Sequence, residues 1–229
     1  MKVPLALGGG AVVGVLLAVA SVTGDSDPAS GADEGTPGPH HAFFFTQPGS
    51  SLPVTWSSCR PVTYVVNPAH APAGWVDLVA SAVDEVAEAT GLDFAYLGTT
   101  SDRAFNRSVR SPTDFEPVLI GWAMPQEISD LEGTVAGVAG PDSITVDGHT
   151  TYVTGKVILD AESYARLEAD GDAGGARAIL MHELGHVMGL THVDDAGELM
   201  HEDNIGRETF GPGDLQGLAV LGAGRCVQF

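Results

Sequence analysis

The chain has 229 residues, with 30 Asp and Glu residues against 10 Lys and Arg residues, so its formal net charge is −20. This charge argues against nucleic acid as a partner, because phosphate binding needs clustered basic side chains and the sequence has no basic run. Hydrophobic residues make up 44% of the chain, which is too many for a wholly disordered protein. The length suits one domain with an N-terminal tail.

The N-terminal segment predicts export. Lys2 is followed by residues 3–23, an uncharged stretch rich in Val, Leu, Ala and Gly. Such a stretch is typical of a signal peptide, and residues 18–20 (Ala-Val-Ala) fit the small-x-small pattern of a cleavage site. The stretch is also long enough to span a membrane, so residues 1–23 are interpreted as a signal peptide or an N-terminal membrane anchor. We therefore expect a secreted protein, or one anchored to the outer face of the membrane by residues 3–23.

Residues 24–54 are interpreted as a flexible linker or N-terminal extension, because the stretch begins with Asp, Ser, Pro and Gly and has little to bury. The folded domain is expected over residues 55–229. Cys59 and Cys226 lie near the two ends of that domain, and an even number of cysteines in an exported chain suggests one disulfide. Two buried free thiols are the alternative.

The pattern of hydrophobic residues predicts an α+β (mixed α/β) domain. A helix is expected over residues 73–90, where apolar residues recur at helical spacing, and Gly91 suits its end. Further helices are predicted from Gly174 and from Asp214 onwards. Runs of β-branched and aromatic residues predict six short strands, at residues 61–66, 94–97, 118–122, 134–139, 143–146 and 156–159. The stretch 98–117 is expected to be a surface loop, and 191–211 to be irregular.

One stretch indicates the chemistry: residues 182–192, with the sequence HELGHVMGLTH. Its core is His-Glu-x-x-His on a predicted helix, so His182 and His186 lie on one helical face and can bind the same metal ion. Glu183 lies beside the first of them and can contact a water molecule there. Gly189 can adopt a positive φ, which ends the helix and lets the chain bring His192 back to the same metal. Three histidines with an open fourth position indicate a catalytic rather than a structural zinc site.

The stretch 182–192 together with Met200 resembles the metzincin clan of zinc endopeptidases, and within it the matrixin (matrix-metalloproteinase-like) branch. The resemblance implies a zincin fold: a twisted, mostly parallel sheet of about five strands with an antiparallel edge strand, an active-site helix and a C-terminal helix. It implies zinc-dependent hydrolysis of peptide bonds, with the three histidines as zinc ligands and Glu183 as general base. Met200 would form the Met-turn, an apolar floor below the three imidazoles.

The same resemblance predicts where substrate binds. In metzincins an extended polypeptide pairs with an edge strand above the metal, and by chain order that edge here includes Gly137, Val138 and Ala139. The residues after Met200 are His201 and Glu202, whereas matrixins usually have Tyr-Pro there. The resemblance therefore does not predict which residues form the wall of the specificity pocket. No cysteine precedes Cys59, so the thiol switch that keeps animal matrixins latent is not expected.

Several alternatives stay open. The chain could be a zinc hydrolase of cell-wall amide bonds, since the motif does not separate peptides from other amides, or a non-catalytic zinc-binding surface protein. Calcium is a second candidate metal, because it prefers carboxylate oxygens. The acidic residues that offer such oxygens are Asp142, Asp147, Asp160, Glu162, Asp194 and Asp195. The expected partner is an extended polypeptide bound by a monomer, with no nucleic acid and with membrane contact only through an uncleaved N-terminal segment.

Overall fold

The structure is a computed structural model that describes residues 13–16, 40–105, 109–111, 114–203 and 206–227. In these ranges the strands are β1 (Val13–Leu16), β2 (Ala42–Phe43), β3 (Thr55–Trp56), β4 (Val62–Asn67), β5 (Phe94–Thr99), β6 (Val109–Ser111), β7 (Asp114–Phe115), β8 (Val118–Ala123), β9 (Val135–Val146), β10 (His149–Asp160) and β11 (Leu190–Thr191). The helices are α1 (Trp75–Thr90), α2 (Ala161–Asp170), α3 (Ala173–Met188) and α4 (Pro212–Gly222), with a 3-10 turn at Ser129–Leu131.

A single large sheet organises the domain. Its strand order is β1-β9-β10-β8-β4-β5, with β3 paired to β10. Strands β10, β8, β4 and β5 run parallel to one another, and β9 runs antiparallel to β10. These five strands are compatible with the predicted mostly parallel sheet and its antiparallel edge. The structure adds β1, which pairs antiparallel with β9 and places Val15 opposite Gly137.

The central strand β8 shows how the sheet divides the core in two. All six of its residues are buried, as expected for a parallel strand covered on both faces. Ile120 and Trp122 join the main core, to which α1 and α3 also contribute. Leu119 and Ala123 point the other way, into a smaller cluster with Phe105. The alternation follows from the two-residue period of a strand.

Strands β9 and β10 form one long hairpin. Asp147 and Gly148 both have positive φ, which a two-residue hairpin loop of type I′ requires. The sequence predicted separate strands at 134–139 and 143–146, and this was wrong: β9 continues through Pro141, which lies opposite Gly155. A Cβ atom on Gly155 would lie 2.7 Å from the carbonyl oxygen of Gly140, so a glycine is needed at that position.

Other elements also differ from the sequence-based expectation. Helix α2 was not predicted, although Asp160 caps it by accepting hydrogen bonds from the N–H groups of Glu162 and Ser163. The expected loop at 98–117 contains, in its described part, the β6–β7 hairpin. The stretch 191–211 is irregular where it is described, apart from a strand residue at its start and a bridge between Val193 and His201.

The packed region begins before residue 55, within the stretch 24–54 that was expected to be a linker. Strand β2 pairs antiparallel with β11, so that Phe43 lies opposite Leu190. Phe43 and Phe45 also pack against the main core, because burying two aromatic rings removes a large apolar area from water. Residues 24–39 of the expected linker, and the uncharged stretch 3–23 apart from β1, lie outside the described residues.

The expected disulfide is present and joins Cys59 to Cys226, with Cα atoms 5.0 Å apart. It ties the segment after α4 to the segment between β3 and β4. Among the described residues, no helix combines the length and hydrophobicity needed to cross a membrane.

Candidate metal centre

The end of α3 brings three histidines together. His182 and His186 lie on α3, which ends at Gly189 with φ 123°. A Cβ atom on Gly189 would lie 2.7 Å from the Tyr152 ring, so only glycine fits between the helix end and β10. The chain then reverses through β11 and brings His192 back to the other two histidines.

The three histidines present one nitrogen each to a common point. Each pair of Nε2 atoms is 3.1 Å apart. Zinc bound tetrahedrally at about 2.0–2.1 Å from each nitrogen would hold them roughly 3.3 Å apart. The donor set and its spacing therefore fit zinc.

Backbone carbonyls orient two of the imidazoles. The Nδ1 atom of His182 lies 2.7 Å from the carbonyl oxygen of Leu199, and that of His186 lies 2.9 Å from the carbonyl oxygen of Leu190. Because a carbonyl oxygen only accepts, both Nδ1 atoms carry the proton. Each Nε2 lone pair is then free to bind a metal ion, the usual role of such an outer hydrogen bond.

Burial keeps the three rings neutral. It lowers the pKa of His182 to about 3, and repulsion from His192 adds to the effect. Burial also lowers the pKa of His186 well below its ordinary value of 6.5, and lowers that of the less buried His192. Neutral imidazole is the form that binds a metal ion.

Glu183 is a buried carboxyl group without a partner. Its residue is fully buried, and neither carboxyl oxygen has a hydrogen-bond partner within the described part of the chain. Burial raises the pKa of this carboxyl well above its ordinary 4.5. An unpaired buried carboxyl group is costly to keep, so its place next to His182 in the chain suggests a chemical role.

Glycines at two positions leave room for the groups around the metal centre. A Cβ atom on Gly137, in β9, would lie 2.7 Å from a Glu183 carboxyl oxygen. A Cβ atom on Gly185, in α3, would lie 2.6 Å from the sulfur of Met200, which is itself buried. Met200 thus packs against the helix that carries two of the histidines, at the position predicted for a Met-turn.

Strand β9 lies directly beside this centre. It contains Gly137, Val138 and Ala139, the predicted substrate-binding edge, and the contact between Gly137 and Glu183 brings the strand to the general-base candidate. In the structure this side of β9 is paired with β1.

Two acidic residues that sequence reasoning missed support the loop below the metal centre. Glu198 and Asp214 are both buried. Glu198 accepts hydrogen bonds from the backbone at the start of α4, and Asp214 accepts one from the backbone N–H of Leu199 in the loop. Burial raises the pKa of Asp214 to about 6, and repulsion from Glu198 adds to the effect. Asp214 also accepts the N–H of Gly211, as in a capping box, so its position three residues after the N-cap residue Gly211 was a usable signal. No comparable local signal marks Glu198.

The described residues do not support the calcium expectation. Asp160, one of the candidates, caps α2 instead. Of the proposed ligands only Asp195 belongs to a second group that could hold a metal ion, together with His40 and Glu198. His40 is exposed and hydrogen-bonds to Asp195, while Glu198 is occupied by backbone N–H groups.

Comparison with known proteins supports a matrixin-like domain. Residues 127–211, fewer than half of the chain, match the sequence model of the family named Matrixin. The matched stretch contains β9, β10, α3, the three histidines and Met200, so the match supports a zinc metallopeptidase.

Structure and curated-sequence comparisons add little. A solved structure, the GM1-bound form of the ECX AB5 holotoxin, is 13% identical to the chain with a TM-score of 0.42, over 76% of this chain and 86% of that one. A likeness at this level supports no conclusion about fold or function. The comparison with curated proteins gave no match.

Proposed function

We propose that the chain is a zinc-dependent endopeptidase that hydrolyses peptide bonds, with Glu183 as its general base. One observation carries the proposal: three neutral histidine nitrogens lie 3.1 Å from one another, and the residue next to His182 in the chain is a buried glutamate with no described hydrogen-bond partner. The matrixin match over residues 127–211 supports the same reaction class.

The roles follow from the geometry. His182, His186 and His192 would hold the zinc, which supplies Lewis-acid chemistry by acidifying water and polarising a carbonyl group. Glu183 would accept the proton of the attacking water and pass it to the leaving amine. Because Gly137 has no side chain, β9 leaves room for the Glu183 carboxyl group.

In this proposal the substrate is a polypeptide that binds in extended form along β9. Main-chain pairing with Gly137, Val138 and Ala139 would supply affinity without dependence on side chains. The pairing of β1 supports the idea, because Val13–Leu16 is an extended apolar segment that lies antiparallel on this same edge.

The proposal places the enzyme outside the cytoplasm, secreted or held at the outer face of the membrane by residues 3–23. The disulfide between Cys59 and Cys226 supports it, since such bonds persist in oxidising compartments and are rare in the cytosol.

Cleavage by the full chain tests the proposal. We would load the purified protein with zinc and follow hydrolysis of casein and of a fluorogenic peptide library. Glu183→Gln should still bind zinc but lose activity by about a hundredfold to ten-thousandfold, the usual contribution of a general base. Glu88→Gln, an exposed substitution on α1, is the matched control and should behave as the unsubstituted protein.

The controls also separate the alternatives. A zinc chelator should abolish cleavage, and added zinc should restore it. If the protein binds one zinc ion but cleaves no peptide, the endopeptidase proposal fails. Hydrolysis of cell-wall amides would then be tested next, before the conclusion that the chain only binds zinc.

A further inference from the structure

Glu198 makes an unusual pair of contacts for a buried carboxylate. It lies in the loop between β11 and α4, and its residue is only 3% exposed. One of its oxygens accepts the N–H of Gly213 at 3.0 Å, and the other accepts the N–H of Asp214 at 2.9 Å. Both donors lie in the first turn of α4, where N–H groups lack partners within the helix and favour a negative charge. Glu198 therefore caps α4 from outside that helix.

The cap leads back to a metal ligand through two hydrogen bonds. Asp214, whose N–H is bonded by Glu198, accepts the N–H of Leu199 at 2.5 Å. The carbonyl oxygen of Leu199 accepts the Nδ1 proton of His182 at 2.7 Å. The peptide groups on both sides of Leu199 are thus held, on one side by α4 and on the other by the imidazole.

The loop and the helix fix each other reciprocally. A loop carboxylate bonds the helix backbone, and a helix carboxylate bonds the loop backbone. Gly211, the residue before α4, has no side chain with which to cap the helix, and a Cβ atom there would lie 2.3 Å from a Glu198 oxygen. The arrangement brings two buried acidic groups close enough to repel each other. Such repulsion is unfavourable, which argues that the contacts serve more than packing.

We propose that Glu198 is a positioning residue for the metal centre: by fixing the start of α4 it holds the Leu199 carbonyl against His182 and so presents the His182 Nε2 atom to zinc. The inference rests on the proposed function only in requiring that the three histidines bind zinc. It does not require that the bound protein cleave peptides.

The test compares Glu198→Ala with Asp160→Ala. Asp160 is also a buried carboxylate that caps a helix, since it bonds Ser163 at the start of α2. The polar contacts of its carboxylate in the described part of the chain are with Glu162, Ser163 and Arg166, and none of these is a metal-ligand candidate. Both variants should therefore lose a similar amount of thermal stability. Zinc affinity, measured in the full chain by competition with a chromogenic chelator, should fall by about tenfold to a hundredfold in Glu198→Ala, the range for lost outer contacts of a ligand. In Asp160→Ala it should stay within twofold.

A second readout is independent of metal. In the zinc-free protein the His182 Nδ1 proton should give a slowly exchanging nitrogen-correlated NMR signal, which Glu198→Ala should lose and Asp160→Ala should keep. Glu198→Gln keeps one acceptor oxygen and the side-chain volume, so its zinc affinity should lie between those of the unsubstituted protein and Glu198→Ala.

Several results would overturn the proposal. Equal zinc affinities in Glu198→Ala and Asp160→Ala would leave Glu198 as a helix cap only. Failure of both Glu198 variants to fold, when Asp160→Ala folds, would make it a determinant of folding instead. A drop from two bound zinc ions to one in Glu198→Ala would make it a ligand in the group with His40 and Asp195. If the unsubstituted protein binds zinc as predicted but cleaves nothing, the proposed function fails and the role of Glu198 stands.

Discussion

Replacing Gly137 by alanine should disable the enzyme while leaving zinc bound. The added Cβ atom would lie 2.7 Å from a carboxyl oxygen of Glu183 and 2.8 Å from both Cγ and Cδ of that side chain. The carbon contacts are about 0.7 Å shorter than the roughly 3.5 Å at which two carbon atoms attract. The backbone of β9 is held by β10, so the least costly relief is a shift of the Glu183 carboxyl group.

The size of the effect follows from that shift. A displacement approaching 1 Å in a catalytic group costs about a hundredfold in rate. We therefore expect kcat to fall by about that factor. None of the three histidines is touched, so zinc affinity should be unchanged. The loss of stability should be at the lower end of the roughly 1–3 kcal/mol seen for overpacked cores, because the carboxyl group can move.

The assay is steady-state cleavage of a fluorogenic peptide, with zinc content measured on the same samples. Gly121→Ala is the matched control: its Cβ atom would lie 3.1 Å from the Phe105 ring, in the smaller cluster on the other face of the sheet. It should lose stability but keep its kcat. Activity of Gly137→Ala within twofold of the unsubstituted protein would refute the reasoning. A rise in KM with unchanged kcat would show instead that Gly137 acts through substrate pairing.

Three further predictions concern the disulfide, the pH dependence and β1. Replacing Cys59 and Cys226 by serine removes a link across 167 residues. In the chain-entropy model this should lower the free energy of unfolding, measured in urea, by up to about 5 kcal/mol. No measurable loss would contradict this estimate. In zinc-free protein the free energy of unfolding should fall between pH 7 and pH 5. His182 alone should account for about 2 kcal/mol of this fall, because its imidazole takes up a proton near pH 6.5 in the unfolded chain but only near pH 3 in the folded protein. The raised pKa of Asp214 acts in the opposite direction, so the check is a shallower pH dependence in His182→Asn than in the unsubstituted protein. Deleting residues 1–39 removes β1 from β9 and should raise kcat/KM for peptides, whereas an unchanged value would mean that β1 does not compete with substrate.

The histidine cluster could be predicted because its signal is local. His182 and His186 are one helical turn apart, and Gly189 marks the point where the helix must end, so the sequence around them specifies that the side chains face one point. The structure places the three Nε2 atoms where that reasoning expects them. The disulfide could be predicted for a different reason, since the expectation of export favoured a disulfide and two cysteines have only one way to pair.

Strand boundaries were less predictable. Gly140 and Pro141 interrupt the apolar pattern of β9, and both residue types usually end a strand. The strand continues because Gly155 on β10 allows the two backbones to approach closely, a contact between positions 15 residues apart. Helix α2 was missed although Asp160 is a good capping residue, because its ten residues include only two large apolar side chains, Tyr164 and Leu167.

The sequence by itself determined the candidate metal site of this protein: a histidine set, a general-base candidate and a glycine stop, all within eleven residues whose geometry depends on a single helix turn and its end. Only the tertiary structure decided what surrounds that set. The bond between Leu199 and Asp214, the cap that Glu198 provides and the space that Gly137 leaves for Glu183 all join segments distant in the chain. Such contacts have no sequence period, because they arise when the sheet, the loop and α4 pack together, and packing is a property of the whole domain.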